Sequence, residues 1–188
     1  MKHYPSLYRV CKDVKINDDI GGKHLKKMDE EMQKFIEFLP VIDQELYRVS
    51  QLKFVRLPRN LALFHPNDSS ISLTTVNVQG MNSFIHEFGH LIDFKNRKNG
   101  STFYSETSKN EHWQAVKKIF RDQHSKHSTK QQWAAIDNGE VTEWERWDRY
   151  DSRLRSSVEF FARAFEVYIA NTLGLKYIGK SKTSLKNN

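Results

Sequence analysis

A glutamate flanked by two histidines that stand four residues apart constrains this chain more than any other feature. The stretch reads His86-Glu87-Phe88-Gly89-His90. On an α-helix, residues four apart lie one above the other on a single face, so both imidazoles can reach one cation. The glutamate is offset by about 100° around the helix axis, so its carboxylate can reach a water activated by that cation. The spacing therefore predicts a helix with Zn²⁺ ligands at His86 and His90 and a general base at Glu87.

The residues around this stretch predict that the helix is buried. Most side chains between residues 84 and 94 are apolar, namely Phe84, Ile85, Phe88, Leu91, Ile92 and Phe94. Inside an apolar segment, a charged group is tolerated when it pairs with a metal or with an opposite charge. The other interpretation is a helix with two surface histidines, and the apolar flanks argue against it.

A third zinc ligand must come from elsewhere in the chain, because a catalytic zinc site uses three protein ligands and an open position. A metzincin would place a glycine and a histidine where Asp93 and Asn96 stand, which excludes that class. A carboxylate on a later helix is the remaining route. Glu159 is the first candidate because it opens a largely apolar run, where an uncompensated carboxylate would be unfavourable. Glu166, two turns further along the same face, is the alternative.

Asp93 lies one turn beyond His90, on its face of the predicted helix. At that position its carboxylate can orient a ligand imidazole by accepting a hydrogen bond from the ring nitrogen that does not bind the metal. It can equally cap its own helix end or pair with a neighbouring cation. The sequence leaves these roles open.

Two motifs in this order resemble a known family. They are His86-Glu87-Phe88-Gly89-His90-Leu91-Ile92-Asp93 and Glu159-Phe160-Phe161-Ala162-Arg163-Ala164-Phe165. Together they resemble the gluzincin metalloproteases of the anthrax lethal factor catalytic domain and Pro-Pro endopeptidase type, over roughly residues 70–169. The resemblance implies a zinc endopeptidase in which His86, His90 and Glu159 bind Zn²⁺ and Glu87 is the base.

Members of that family also carry a tyrosine shortly before the third ligand, which stabilises the oxyanion. Tyr150, nine residues before Glu159, matches that tyrosine, with Arg153 or Arg155 as the reserve donors. The resemblance therefore implies Tyr150 as a second catalytic residue beside Glu87.

Hydrophobic periodicity predicts an α+β fold. Three- and four-residue spacings predict helices near residues 25–39, 42–49, 110–123 and 156–170, whereas alternation predicts strands at 52–57, 61–64 and 70–78. We expect a mostly helical, zincin-like metallopeptidase domain with a small mixed or antiparallel sheet and an HExxH active-site helix. The last strand leads directly into that helix, so it is a candidate for the sheet edge at which an extended peptide or protein substrate pairs; an ordinary strand is the equal alternative.

The length of 188 residues predicts one domain over residues 1–175. Within it we expect an N-terminal helical part at 1–50, the small sheet at 51–80 and the catalytic helices at 81–172. Residues 176–188 form a basic tail, which supplies four of the lysines behind the net charge of +7. The single cysteine, Cys11, excludes an intrachain disulfide and a cysteine zinc site.

Composition also bears on partners and location. No stretch approaches the ~18 apolar residues of a membrane helix, so no membrane partner is expected, and we expect a monomer. The polar start predicts a cytoplasmic protein if Met1 is the native start, and a secreted one if a leader has been removed. The alternative function is a basic cytosolic protein that binds nucleic acid or protein and has a structural or inactive zinc site. Nucleic acid is the weaker partner, because no recognised nucleic-acid motif occurs.

Overall fold

The structure, a computed structural model, describes residues 3–16, 20–39, 45–57, 61–75, 80–97, 103–118 and 156–175. These ranges contain six α-helices and a four-stranded mixed sheet. The predicted α+β class is confirmed at this level. None of the helices in these ranges is both long and apolar enough to cross a membrane.

The helices and strands follow one another as an N-terminal helix–strand–helix unit, three further strands and a C-terminal group of helices. The helices are α1 Pro5–Val10, α2 Gly22–Phe38, α3 Met81–Lys95, α4 Tyr104–Thr107, α5 at residues 111–118 and α6 Ser157–Thr172. The strands are β1 Cys11–Lys15, β2 Val49–Val55, β3 Ala62–His65 and β4 Ser70–Thr74. A single 3₁₀ turn at Glu45–Tyr47 precedes β2.

The sheet has the order β1-β2-β4-β3. β1 and β4 both run parallel to β2, whereas β3 pairs with β4 antiparallel in a hairpin whose register sets Leu63 opposite Ser72. All five residues of β4 are buried, as expected for a strand with a neighbour on each side. Over its described residues the last strand is therefore an ordinary internal strand, and its candidate place at the sheet edge is wrong. The hairpin turns β4 inward against β2 and leaves β3 at the edge.

The core lies where α2 and α3 pack together over the sheet. The spacing of apolar residues in α2 buries one stripe of that helix, and Phe35 from this stripe makes an edge-to-face contact with Phe88 of α3 at 5.6 Å between ring centroids. Phe88 in turn stacks on Phe84, one turn earlier. The sheet contributes Leu52 and Phe54, both fully buried. This packing fixes which face of α3 points away from the core.

The N-terminal fifty residues differ from the predicted helical part. They include strand β1 and the start of β2. β1 buries only Cys11 and Val14 among five residues, so it lacks the alternation that would have indicated a strand. The predicted helix at 42–49 is reduced, within the described residues, to the 3₁₀ turn, because Val49 already pairs with Cys11 across the sheet.

Candidate metal centre

Helix α3 presents both motif histidines on one face, as the spacing predicts. The imidazole rings of His86 and His90 lie 5.0 Å apart between centroids with their planes at 88°. Their side chains are 12% and 14% exposed, so both rings are largely shielded from water but still reachable. The two Nε2 atoms point toward the same group on helix α6.

That group is the carboxylate of Glu159, in the first turn of α6. The Ser156 hydroxyl caps the helix by accepting a hydrogen bond from the Glu159 backbone N–H at 3.2 Å. The helix therefore begins at Ser157, two residues before Glu159. Oε1 of Glu159 lies 3.2 Å from Nε2 of His86, and Oε2 lies 3.6 Å from Nε2 of His90. The structure thus brings together the three predicted ligands, whose donor atoms all lie within 4.8 Å of one another.

These three donors fit a divalent transition metal. Ligand bonds of 2.0–2.2 Å in a tetrahedral zinc site place neighbouring donor atoms about 3.3–3.6 Å apart. The two separations between imidazole nitrogen and carboxylate oxygen are 3.2 Å, just below that range, and 3.6 Å, at its upper end. Two imidazoles and a carboxylate accept several divalent metals, of which zinc is one. His86, His90 and Glu159 are therefore a group that could hold a metal ion.

Gly89 allows the two helices that carry these ligands to approach closely. A Cβ built on Gly89 would lie 2.9 Å from the Cα of Ala162 and 3.3 Å from its carbonyl oxygen. Carbon atoms in ordinary contact are about 3.5–4.0 Å apart, so a methyl group at this point would push α6 away. The glycine therefore sets the distance at which Glu159 meets the histidines.

Hydrogen bonds between the histidines and carboxylates decide the charges at this site. Burial disfavours a charged His86, but hydrogen bonds to Glu159 and Glu166 outweigh it and raise the pKa of His86 to about 9. Burial likewise disfavours a charged Glu159, yet hydrogen bonds from His86 and His90 hold the pKa of Glu159 well below its usual range. Without a metal, His86 is therefore an imidazolium that faces the ionised carboxylate of Glu159.

Glu87, the predicted general base, lies beside these ligands and is 8% exposed. Burial raises the pKa of Glu87, while the neighbouring His86 and His90 oppose the rise. The backbone N–H of Phe64, in the edge strand β3, also opposes the rise. Glu87 is thus a buried carboxylate held between the histidines and the sheet edge.

Glu166, the alternative ligand, lies outside the ligand group. Its Oε2 is 3.0 Å from Nδ1 of His86, the ring nitrogen that does not face Glu159. The same oxygen accepts a hydrogen bond from the guanidinium of Arg163 at 2.6 Å. The sequence did place Glu166 on the correct helix face, but residue spacing alone could not indicate which ring nitrogen it would meet.

Among the described residues, Asp93 binds Ser105 rather than a ligand imidazole, a cation or the end of its own helix. It is fully buried, and its Oδ1 and Oδ2 accept hydrogen bonds from the backbone N–H and the hydroxyl of Ser105 at 2.7 and 2.6 Å. Burial raises its pKa, which these hydrogen bonds partly offset. Asp93 therefore links α3 to α4 through Ser105, which lies twelve residues later in the chain. Nδ1 of His90 has no hydrogen-bond partner among the described residues.

A cleft of about 350 Å³ opens beside the three ligands. The edge strand β3 forms one wall, and Phe103, just before α4, lies near His90 with 6.5 Å between ring centroids. Apart from the ligands and Glu87, the lining residues are apolar: Ala62, Leu63, Phe64, Pro66, Phe103 and Val158. The predicted oxyanion donors Tyr150, Arg153 and Arg155 lie outside the described residues.

Comparisons of this chain with protein-family models, with curated proteins and with solved structures found no match.

Proposed function

We propose that this chain is a zinc-dependent endopeptidase that hydrolyses a peptide bond with an activated water, in keeping with its resemblance to the gluzincin metalloproteases. The single observation that carries the proposal is the arrangement of His86, His90 and Glu159 around one point, with the buried carboxylate of Glu87 lining the same cleft. A zinc ion bound by the three ligands would supply Lewis-acid activation of a water, whose pKa falls to about 7 in such sites.

Glu87 supplies the proton transfers in this proposal. Its carboxylate accepts a proton from the attacking water and donates it to the departing amine. A general base works best when its pKa lies near the working pH, and burial shifts the pKa of Glu87 in that direction. The Glu87 carboxylate lines the cleft together with Phe64 of β3, where the scissile bond of a bound peptide would lie.

An extended peptide fits the edge strand β3. Thr74 N–H donates to the carbonyl of Leu61, so residues 61, 63 and 65 face β4 and the backbone groups of Ala62 and Phe64 face outward by alternation. The Phe64 N–H already faces the Glu87 carboxylate, so a peptide would pair with the remaining outward groups and cross the cleft beside the ligands. Because the rest of the lining is apolar, we propose that the substrate places an apolar side chain there.

The first test separates metal binding from chemistry. In the purified full chain we expect about one zinc per molecule by elemental analysis, and chelator-sensitive cleavage in a peptide library. Glu87→Gln should keep the zinc and lose about 100- to 10,000-fold in cleavage rate, the usual contribution of a general base. Glu159→Ala should lose zinc. Glu37→Gln, an exposed α2 residue that accepts a hydrogen bond from Gln33, serves as the control and should change neither.

Two results would contradict the proposal. A Glu159→Ala protein that still holds stoichiometric zinc removes the ligand assignment, and a Glu87→Gln protein that cleaves at the wild-type rate removes the base. Zinc bound without cleavage of any library peptide would favour the alternative, a binding protein with a structural metal.

A further inference from the structure

Each nitrogen of the His86 ring faces a carboxylate of its own. Nε2 lies 3.2 Å from Glu159, whereas Nδ1 lies 3.0 Å from Oε2 of Glu166. A nitrogen that binds a metal must present a lone pair, so the other nitrogen carries the proton and donates it. The contact with Glu166 therefore selects the tautomer of His86 in which Nε2 is free to bind the metal.

Arg163 holds Glu166 in place for this contact. One guanidinium nitrogen of Arg163 lies 2.6 Å from the same Oε2 of Glu166, and the other lies 3.5 Å from Oε1 of Glu159. Glu159, Arg163 and Glu166 are spaced i, i+4 and i+7 on helix α6, so they share one face. Glu166 is only 5% exposed, and a carboxylate so buried requires such partners.

The two histidines differ in this respect. Nδ1 of His86 has Glu166, whereas Nδ1 of His90 is buried and has no hydrogen-bond partner among the described residues. A contact that only stabilised the packing of α3 against α6 would not need to involve a ring nitrogen of a candidate metal ligand, as the Glu166 contact does. The difference gives an internal comparison, since a change at Glu166 should affect one ring and spare the other.

We infer that Glu166, held by Arg163, is a positioning residue that orients His86 for metal binding. The inference rests on the metal site of the proposed function and not on peptidase activity. Glu166 fixes the ring plane and tautomer of His86, and Arg163 keeps the Glu166 carboxylate turned toward Nδ1. Because Arg163 also approaches Glu159, the same cation aligns a ligand from each of the two helices.

Partners of this kind typically account for a 10- to 100-fold difference in metal affinity. Glu166→Gln keeps an oxygen that can accept from Nδ1 but removes the charge, so we expect zinc binding to weaken about tenfold. Glu166→Ala removes the acceptor and should weaken binding by about 10- to 100-fold. Arg163→Met should give a smaller loss, and Arg163→Lys should recover part of it because the charge is retained.

The test measures zinc affinity by competition with a chromogenic chelator, together with the ring-proton NMR signals of the zinc-loaded chain. In the wild type we expect a downfield, slowly exchanging Nδ1–H of His86, since it donates to a buried carboxylate. In Glu166→Ala that signal should shift upfield or disappear, while the His90 signals stay in place. Glu37→Gln is again the control, and circular dichroism of the metal-free variants reports folding.

Weaker zinc binding with a selective change at His86 supports the inference. Folded Glu166→Gln and Glu166→Ala proteins that bind zinc within twofold of wild type overturn it, as does an equal loss in Glu37→Gln. If Glu166→Ala does not fold, the isosteric Glu166→Gln decides. Zinc binding without peptide cleavage would remove the proposed peptidase and leave this inference standing, whereas a wild-type chain that binds no zinc overturns both.

Discussion

Replacing Gly89 by alanine tests whether the contact between α3 and α6 sets the geometry of the metal site. The added Cβ would lie 2.9 Å from the Cα of Ala162, about 0.6–1.1 Å closer than carbon atoms normally approach. The neighbouring atoms are mostly backbone and have no alternative rotamer. The helices must therefore separate by roughly that distance, and Glu159 moves away from the histidines.

Two opposing contributions determine the stability of Gly89→Ala. Alanine is about 1 kcal/mol better than glycine in a helix interior, whereas overpacking a tight contact typically costs about 1–3 kcal/mol. We therefore expect a net loss of about 0–2 kcal/mol in the free energy of unfolding. The effect on the site should be larger, because ligand geometry must be held within about 0.5 Å. Zinc affinity should fall tenfold or more.

Urea unfolding of the metal-free chain and zinc competition measure the two effects separately. Gly22→Ala is the matched control, because a Cβ at this first residue of α2 meets only the hydroxyl of Tyr4, at 3.9 Å. It should be neutral or slightly stabilising and should leave zinc binding unchanged. Adding Ala162→Gly to Gly89→Ala should restore little, since the two shortest of the three contacts are with the Ala162 backbone.

The contact between α3 and α6 does not set the site geometry if Gly89→Ala behaves like its control. A gain of about 1 kcal/mol in the free energy of unfolding, with unchanged zinc affinity, would mean that α3 and α6 are further apart than the close approach of Gly89 to Ala162 indicates. Full rescue by Ala162→Gly would instead place the contact in the methyl group rather than in the backbone.

Other measurements reach different parts of the site. Because the pKa of His86 is about 9 and ligation needs the neutral ring, His86 should contribute about one released proton when zinc binds at pH 7, and this contribution should vanish as the pH rises above 9. Calorimetry in two buffers of different ionisation enthalpy measures this, and zero release at pH 7 would contradict it. Asp93→Ala should lose about 1–3 kcal/mol of stability by leaving the buried N–H and hydroxyl of Ser105 unpaired, and Asp93→Asn should lose less. Equal urea midpoints for the two variants would argue against that pairing. In the peptide library, an apolar side chain beside the cut bond should be preferred, and Phe103→Asp should weaken that preference.

The sequence predicted the group that could hold a metal ion, because helical spacing and the burial of charge are local properties. Two histidines four apart share a face on any helix, and Glu159 stands in a run too apolar for an unpaired carboxylate. Both predictions require only that these segments are helical, not how the helices pack. The order of strands is different, since alternation identified β3 and β4 without indicating which of them would pair with β2.

The sequence could not predict which carboxylate meets which nitrogen of His86, because this depends on how α3 and α6 cross. Helical spacing placed Glu166 on the same face as Glu159, but only the close approach at Gly89 and Ala162 determines that one carboxylate meets Nε2 of His86 and the other Nδ1. If α3 and α6 lay further apart, both carboxylates would move away from the His86 ring together. Gly89, which has no side chain, therefore sets the distance of both contacts to His86. If the proposed metal site is correct, substitutions at Gly89 and Glu166 should show coupled effects on zinc affinity.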